Sequence, residues 1–278
     1  MQQSGAWPVE DGLSTSTFAI ILGIRTESAS VHMKMQINKG LHIAHTRLLD
    51  VAKLGLPAGC EFLDTISPQY TTNLVSWGAI GARTTELQVH HKLTSALSMP
   101  TSFKNSMDGS IGIAIDACCA ARSGHVFLSM GKEGLRSIIE TTGNLDVHVI
   151  LCGGASGLNY AAEFVHETCQ KLVKAGLPQK IMIDCSHGNS SKQHHKQADN
   201  IAHQLESEDT SSFIMGVMIE SNLVEGCQDI PASGPAGLKR QFLYLTASLK
   251  VSGHGDSWLS PMLEASRSSI RCTNFAQM

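Results

Sequence analysis

The sequence has no surplus of charge of either sign: Lys and Arg number 21 against 24 Asp and Glu, a formal net charge of -3. Nothing in that balance draws the chain to nucleic acid or to an anionic membrane, so neither is expected as a partner and small molecules are. Long hydrophobic runs are missing as well. Apolar runs such as Phe18 to Gly23 and Val147 to Leu151 fall far short of the roughly 20 residues that cross a bilayer, and no basic-then-apolar leader opens the chain. A soluble, cytoplasmic protein is expected. Cys-X-X-Cys pairs and the paired spacing of a disulfide framework are also absent, although cysteines lie at 60, 118, 119, 152, 169, 185, 227 and 272; all eight are read as reduced thiols. Cys60, Cys152 and Cys185 fall on expected strands near polar residues, where a thiol serves either as a metal ligand or, more commonly, as a small buried apolar side chain. No solenoid repeat and no low-complexity tract is visible.

What is there is enough hydrophobic material, 42% of 278 residues, to close the core of one large α/β domain. From about residue 35, short β-rich runs alternate with amphipathic stretches, the mark of parallel βα units. Strands are expected at Gly59–Asp64, Ala79–Arg83, Thr101–Lys104, Val147–Leu151, Lys180–Cys185 and Ile214–Ile219, with helices at Asn38–Leu54, Pro68–Ser76, Thr85–Leu97, Ser110–Ala121, Asn159–Ala175 and Ser191–Glu206. Gly-Leu-Pro at 55–57 and again at 176–178 is a helix stop, glycine after the last turn and proline just beyond it. His125–Ser129 and Ser137–Thr141 read as a hairpin inserted into the βα rhythm. The fold class is thus a TIM (β/α)8-type barrel, incomplete because eight staves cannot be closed from six clear strands. Residues 1–34, with one further strand at Phe18–Ile24, and residues 240–278 read as divergent ends around a barrel spanning 35–239.

In such a barrel the chemistry gathers where the strands end, because the βα loops converge on one mouth. The expected strand ends carry Glu61 and Asp64, Arg83, Lys104, Cys152, His187 and Glu220, a set that suits a phosphorylated substrate and a divalent metal. Arg83 follows the small turn Gly81-Ala82, whose N–H groups can approach an anion while the guanidinium grips it. Lys104 adds a charge from the next stave. Both cations would otherwise pair with Glu61 or Glu86 as structural salt bridges. His187 emerges from the buried run Ile181–Cys185 with Glu220 on the neighbouring stave, nitrogen and hard oxygen donors for one metal ion.

Gln36-Ile-Asn-Lys-Gly40, Glu61-Phe-Leu-Asp64 with Pro68-Gln-Tyr70, Ser76-Trp-Gly-Ala-Ile-Gly-Ala-Arg-Thr-Thr-Glu86, Phe103-Lys-Asn105, Asp184-Cys-Ser-His-Gly-Asn-Ser-Ser-Lys-Gln193 and Gly216-Val-Met-Ile-Glu-Ser221 with Leu223-Val-Glu-Gly226 together resemble the metal-dependent 3-deoxy-D-arabino-heptulosonate-7-phosphate (DAHP) synthases of microbes and fungi. The resemblance runs in order from about 35 to 239. It implies a transferase that condenses phosphoenolpyruvate with erythrose 4-phosphate at the entry to the shikimate pathway, the route through chorismate to the aromatic amino acids. A divalent metal of the manganese, iron, cobalt or zinc type would be the cofactor. By the same resemblance Gly81, Ala82, Arg83 and Lys104 would hold phosphoenolpyruvate, and Glu61, Lys104 and His187 would be catalytic. His187 and Glu220 would ligate the metal. Gln69, Ser98, Phe127 and Ser129 would bind an aromatic amino-acid effector, and the protein would be a homo-oligomer.

The sequence departs from that family at definite places. The Gly-Pro-Cys-Ser motif that supplies a cysteine ligand is not found, and the stretch Leu243–Ser248 stands where an aspartate ligand is expected. Gly23-Ile-Arg-Thr26 is a faint echo of a Lys-Pro-Arg-Thr-Thr segment, and Cys152 occupies the place of an arginine. Every missing charge-assisted hydrogen bond is worth about 1.5–3 kcal/mol, so impaired activity is expected. A non-catalytic paralogue that binds an intact synthase or an aromatic effector is the alternative. The abrupt change after Lys239 points to a shifted reading frame or splice junction. Cys185 as a replacement ligand would share a strand face with His187, about 6.5 Å along it.

Overall fold

The computed structural model describes residues 20–21, 37–131, 133–197, 199–200 and 209–220. Most of the strand expected at Phe18–Ile24, residues 198 and 201–206 of the helix expected at Ser191–Glu206, and the segment 240–278 lie outside them; Ser191–His195 form turns instead of helix, and helical backbone begins at Lys196.

All six expected strands form. With the two-residue β1 (Ile20–Ile21), they are β2 (Ala58–Glu61), β3 (Trp77–Ile80), β4 (Thr101–Lys104), β7 (Val147–Leu151), β8 (Ile181–Asp184) and β9 (Ile214–Met218). These seven pair in the order β1-β2-β3-β4-β7-β8-β9, every neighbour parallel. The result is an α/β fold, an open part of a TIM-type barrel among the described residues. The inserted hairpin also forms, as the antiparallel pair β5 (Val126–Met130) and β6 (Arg136–Glu140), and it stands apart from the parallel sheet.

Helices α1 (Ile37–Lys53), α2 (Pro68–Thr71), α3 (Gln88–Ser95), α4 (Gly112–Ala121) and α5 (Ala162–Lys174) fill the crossovers. On α1 the buried positions Gly40, Ala44 and Leu48 recur every four residues, and on α5 Val165, Thr168, Cys169 and Leu172 follow at offsets of three, four and seven, the stripe by which a helix lies on a sheet. Gly55 and Gly176 take φ of 75° and 71° beyond α1 and α5, the left-handed turn that ends a helix and that glycine adopts without a Cβ clash. The helix expected at Pro68–Ser76 breaks after one turn into a 3-10 segment at Thr72–Leu74, in keeping with two successive β-branched threonines.

Strands β3, β4 and β7 are buried at every position, as expected of a parallel sheet covered on both faces. Ile80, Phe103, Val149, Leu151 and Ile183 point outward into the main core beneath the helices. Trp77, Ala79, Ile150 and Met218 point the other way and form a smaller inner cluster with Met182. Because successive strand residues alternate faces, Lys104 and Asp184, each next to an outward residue, belong to the inner side.

Candidate functional site

The ladder brings the strand ends to one level. Ile80 pairs with Phe103, Lys104 with Ile150, Leu151 with Ile183 and Asp184 with Met218. The loops that carry the polar residues therefore leave the sheet along a common rim.

At its centre is an ion pair. Lys104 Nζ donates to Asp184 Oδ2 at 2.7 Å, with the lysine 8% exposed and the aspartate 0%. Burial works to strip the proton from Lys104, but Asp184 and Glu61 outweigh it, and the ammonium is held more firmly than in water. Burial likewise pushes the Asp184 carboxyl up, yet Lys104, His187 and the Ser186 hydroxyl together bring it below its usual range. Asp184 Oδ1 also accepts the Ser186 backbone N–H at 2.9 Å. Reading the strand ends missed Asp184 as a site residue. The signal was present as an acid closing the apolar strand Ile181–Ile183, where a buried carboxylate requires a partner.

His187 follows with φ +48°, a left-handed turn that takes it off the strand line. Its Nε2 lies 3.0 Å from Glu220 Oε1 and 3.8 Å from Asp184 Oδ2. The hydrogen bond to Glu220 is the main reason that the imidazole holds its proton above the ordinary histidine range. Lys104, Asp184, His187 and Glu220 thus form one continuous chain of charge across three staves. Cys185 is not part of it: it is fully buried in the outer core, and burial raises its thiol to about 12. The expectation that Cys185 and His187 share a face fails, because the chain leaves the extended conformation at His187 itself, whose φ is +48° after a still-extended Ser186. Among the described residues no three His, Cys, Asp or Glu side chains are grouped to hold a metal ion. His187 and Glu220 bond to each other directly, so the described donors do not make a complete metal site.

Around β3 the strand begins and ends earlier than expected, and Gly81, Ala82 and Arg83 form the turn beyond it. Thr85 Oγ1 fastens this turn by donating to Gly81 O at 3.1 Å and Lys104 O at 2.8 Å. The Glu61 carboxylate lies over Gly81, where any Cβ would strike it. Arg83 is exposed and has no ion-pair partner among the described residues. The structural pairing with Glu61 or Glu86 is therefore not what holds either cation. Asp64 is a turn residue rather than a mouth carboxylate: its Oδ1 accepts the N–H groups of Ile66 and Ser67, both at 2.7 Å, ahead of α2. Strand β2 has already ended at Glu61.

Buried asparagines knit the rim. Asn105 accepts from Cys152 N at 2.8 Å and from Asn159 Nδ2 at 3.1 Å, while Asn189 Nδ2 donates to Leu151 O at 3.1 Å and Asp184 O at 2.9 Å. Cys152 is buried beside Lys104, and burial moves its thiol up to about 11. Cys60, half-buried on β2, is raised to about 11 for the same reason.

The residues expected to bind an effector lie around the hairpin. The Gln69 amide donates to Met130 O, next to Ser129. Phe127 has Lys92 Nζ over its ring, 5.9 Å from the centroid. Ser95, on the last turn of α3, bonds Thr141 at 2.8 Å at the hairpin base. Ser98 is exposed in the turn just after α3.

Residues 23–251 match the DAHP synthetase I family. The Phe-sensitive phospho-2-dehydro-3-deoxyheptonate aldolase of Escherichia coli K12 is 53% identical over 203 residues, 72% of this chain and 57% of that protein. The tyrosine-inhibited aldolase of Schizosaccharomyces pombe is 46% identical over 240 residues, 84% of this chain and 63% of its own length. A solved aldolase of the same name from Francisella tularensis SCHU S4 superposes with a TM-score of 0.69 at 45% identity, over 83% of this chain and 65% of that one. The chain thus covers less than two thirds of these relatives. A family match across most of its length, joined to a common fold, leads to one conclusion: this chain belongs to the DAHP synthetase I family.

Proposed function

We propose that the chain binds phosphoenolpyruvate on the rim formed by Glu61, Gly81, Ala82, Arg83 and Lys104 and condenses it with erythrose 4-phosphate, with turnover below that of its full-length relatives. The observation that carries this reading is the buried Lys104–Asp184 pair at 2.7 Å. It keeps a permanent cation at the strand ends, where an anionic substrate can take up its remaining N–H donors. Arg83, unengaged by any described carboxylate, supplies a second, bidentate cation from the adjacent stave. C3 of the enol attacks the aldehyde carbon, a water oxygen adds at C2, and the phosphate leaves with its bridging oxygen from C2. The proton on His187 Nε2, shared with Glu220, is available to an oxygen that gains charge in this sequence. A divalent metal of the manganese class would polarise the aldehyde. His187 and Glu220 have the donor chemistry for it, but they do not complete a site among the described residues.

Gln69, Phe127 and Ser129, with Ser98 on the neighbouring turn, are proposed to form an aromatic amino-acid site along the hairpin. The contact from Gln69 to Met130 and the cation over Phe127 support that reading. We further propose a homo-oligomeric cytoplasmic protein; no described helix is long and apolar enough to cross a membrane.

The test is phosphate release from the two substrates with manganese present, alongside calorimetry of phosphoenolpyruvate binding. Saturable binding that Lys104→Met abolishes, with slow phosphate release, is the expected result. A chain that neither binds phosphoenolpyruvate nor releases phosphate refutes the proposal. Binding without release would identify the second reading, a non-catalytic paralogue, which is favoured by Glu220 being engaged by His187.

A further inference from the structure

Glu220 lies two residues beyond the last ladder position of β9, Met218, whose carbonyl accepts the Cys185 N–H at 2.9 Å. Strand pairing therefore does not explain why its carboxylate stands at the height of the His187 ring. A side chain does. Gln197 is 1% exposed, and its carboxamide pairs both ways with the Glu220 backbone: Nε2 donates to Glu220 O at 2.9 Å, and Oε1 accepts Glu220 N–H at 2.9 Å. A primary amide has the same donor and acceptor as a peptide group, so it stands in for the next rung of a ladder.

The backbone carrying Gln197 is itself fastened to the rim. Asn200 Nδ2 donates to Cys185 O at 3.2 Å and to Asn189 O at 2.9 Å, and Asn189 reaches Asp184 O at 2.9 Å. Three buried carboxamides thereby join the loop after β8, which holds His187, to the end of β9, which holds Glu220. We infer that Gln197 is a positioning residue, whose amide holds Glu220 at the height where its carboxylate meets His187. The Glu220 carboxylate accepts no other hydrogen bond from a described side chain that would hold it there. Hydrophobic packing cannot substitute, since it has no preferred direction along the strand.

The contact can be read without substrate or metal, by histidine-selective nitrogen NMR on the full chain. The chain has 13 histidines, so His187 is assigned as the signal that disappears in His187→Gln. Wild type and Glu220→Gln give the paired and unpaired reference positions. In Gln197→Met the His187 ring-nitrogen signal is expected to move to the position of Glu220→Gln, although both partners are intact. Gln197→Glu keeps the acceptor for Glu220 N–H but loses the donor, and its signal is expected between the two; it carries the test if the methionine variant does not fold. A wild-type signal in either folded Gln197 variant overturns the inference. So does a Glu220→Gln signal identical to wild type, since there would then be no contact to position. Neither outcome involves phosphoenolpyruvate, so a failure here is distinct from a failure of the proposed function.

Discussion

Replacing Asp184 with Asn tests the centre of the site. The asparagine keeps the shape and leaves an amide oxygen for the Ser186 N–H, which Asp184 now accepts at 2.9 Å, so the change is mainly the loss of one buried charge. Lys104, 8% exposed, is left without its counterion, and breaking a buried pair in this way costs about 3–5 kcal/mol. The loss depends on pH with a definite sign. In the variant the folded Lys104 loses its proton more easily than the unfolded chain does, so the unfolded state binds more protons and stability recovers as pH rises. In wild type the folded lysine is raised instead, so its contribution is present below the unfolded value and fades only above it. Urea denaturation followed by far-UV circular dichroism at pH 7 and pH 9.5 measures both effects. Asp184→Asn is expected to lose several kcal/mol at pH 7 and less at pH 9.5. Lys104→Met/Asp184→Asn is expected to regain most of the stability, because neutral residues of similar volume replace the pair, and to fail to bind phosphoenolpyruvate. An Asp184→Asn midpoint within about 1 kcal/mol of wild type, far below that expected cost, would show that the pair is not buried in solution.

Other outcomes follow from neighbouring residues. His148, buried and bonded to Trp77 Nε1 at 3.2 Å, stays neutral because burial lowers its pKa to about 4. The unfolded histidine protonates first, so stability complete above about pH 6.5 is expected to fall by roughly 3 kcal/mol as pH drops toward 4; urea midpoints across that range check it, and His148→Asn should flatten the slope. Arg83→Ala removes an exposed side chain and should leave the melting midpoint within about 0.5 kcal/mol of wild type, while calorimetry shows phosphoenolpyruvate binding weakened at least about tenfold, as removal of a charge-assisted hydrogen bond requires; unchanged binding would remove Arg83 from the site. In Gly188→Ala the new Cβ would lie 2.8 Å from the Gly153 carbonyl carbon and the Gly154 nitrogen. Because that is backbone, the loops after β7 and β8 must part, and thermal melts should show a loss of about 1–3 kcal/mol.

Much of the architecture could be read along the chain because it depends on local periodicity. Thr101–Lys104 and Val147–Leu151 stand in the structure with the bounds expected of them; the first is a short run between two helices, the second a short run between the hairpin and α5. The hairpin is legible from two alternating segments, and the ends of α1 and α5 from Gly55 and Gly176. That Glu61, Lys104, His187 and Glu220 stand at or just beyond strand ends was legible because position relative to a strand end needs only counting. Asp64 was misplaced by the same counting, since a carboxylate that fastens the turn ahead of the next helix looks like one that prolongs the strand.

Contacts between distant segments were decided only in three dimensions. Sequence by itself determined that this chain makes parallel βα units and puts cations, a histidine and carboxylates where strands end, because alternation and turn chemistry act over a few residues. Tertiary structure decided that Lys104 meets Asp184, 80 residues away, that His187 leaves the strand on a left-handed turn toward Glu220, that Cys185 faces the core, and that Gln197 completes the ladder beside Glu220. The physical reason is register: a one-residue slip between strands exchanges the inner and outer faces. The register is set jointly by the packing of Ile80, Phe103, Val149, Leu151 and Ile183 in one core, not by any single segment.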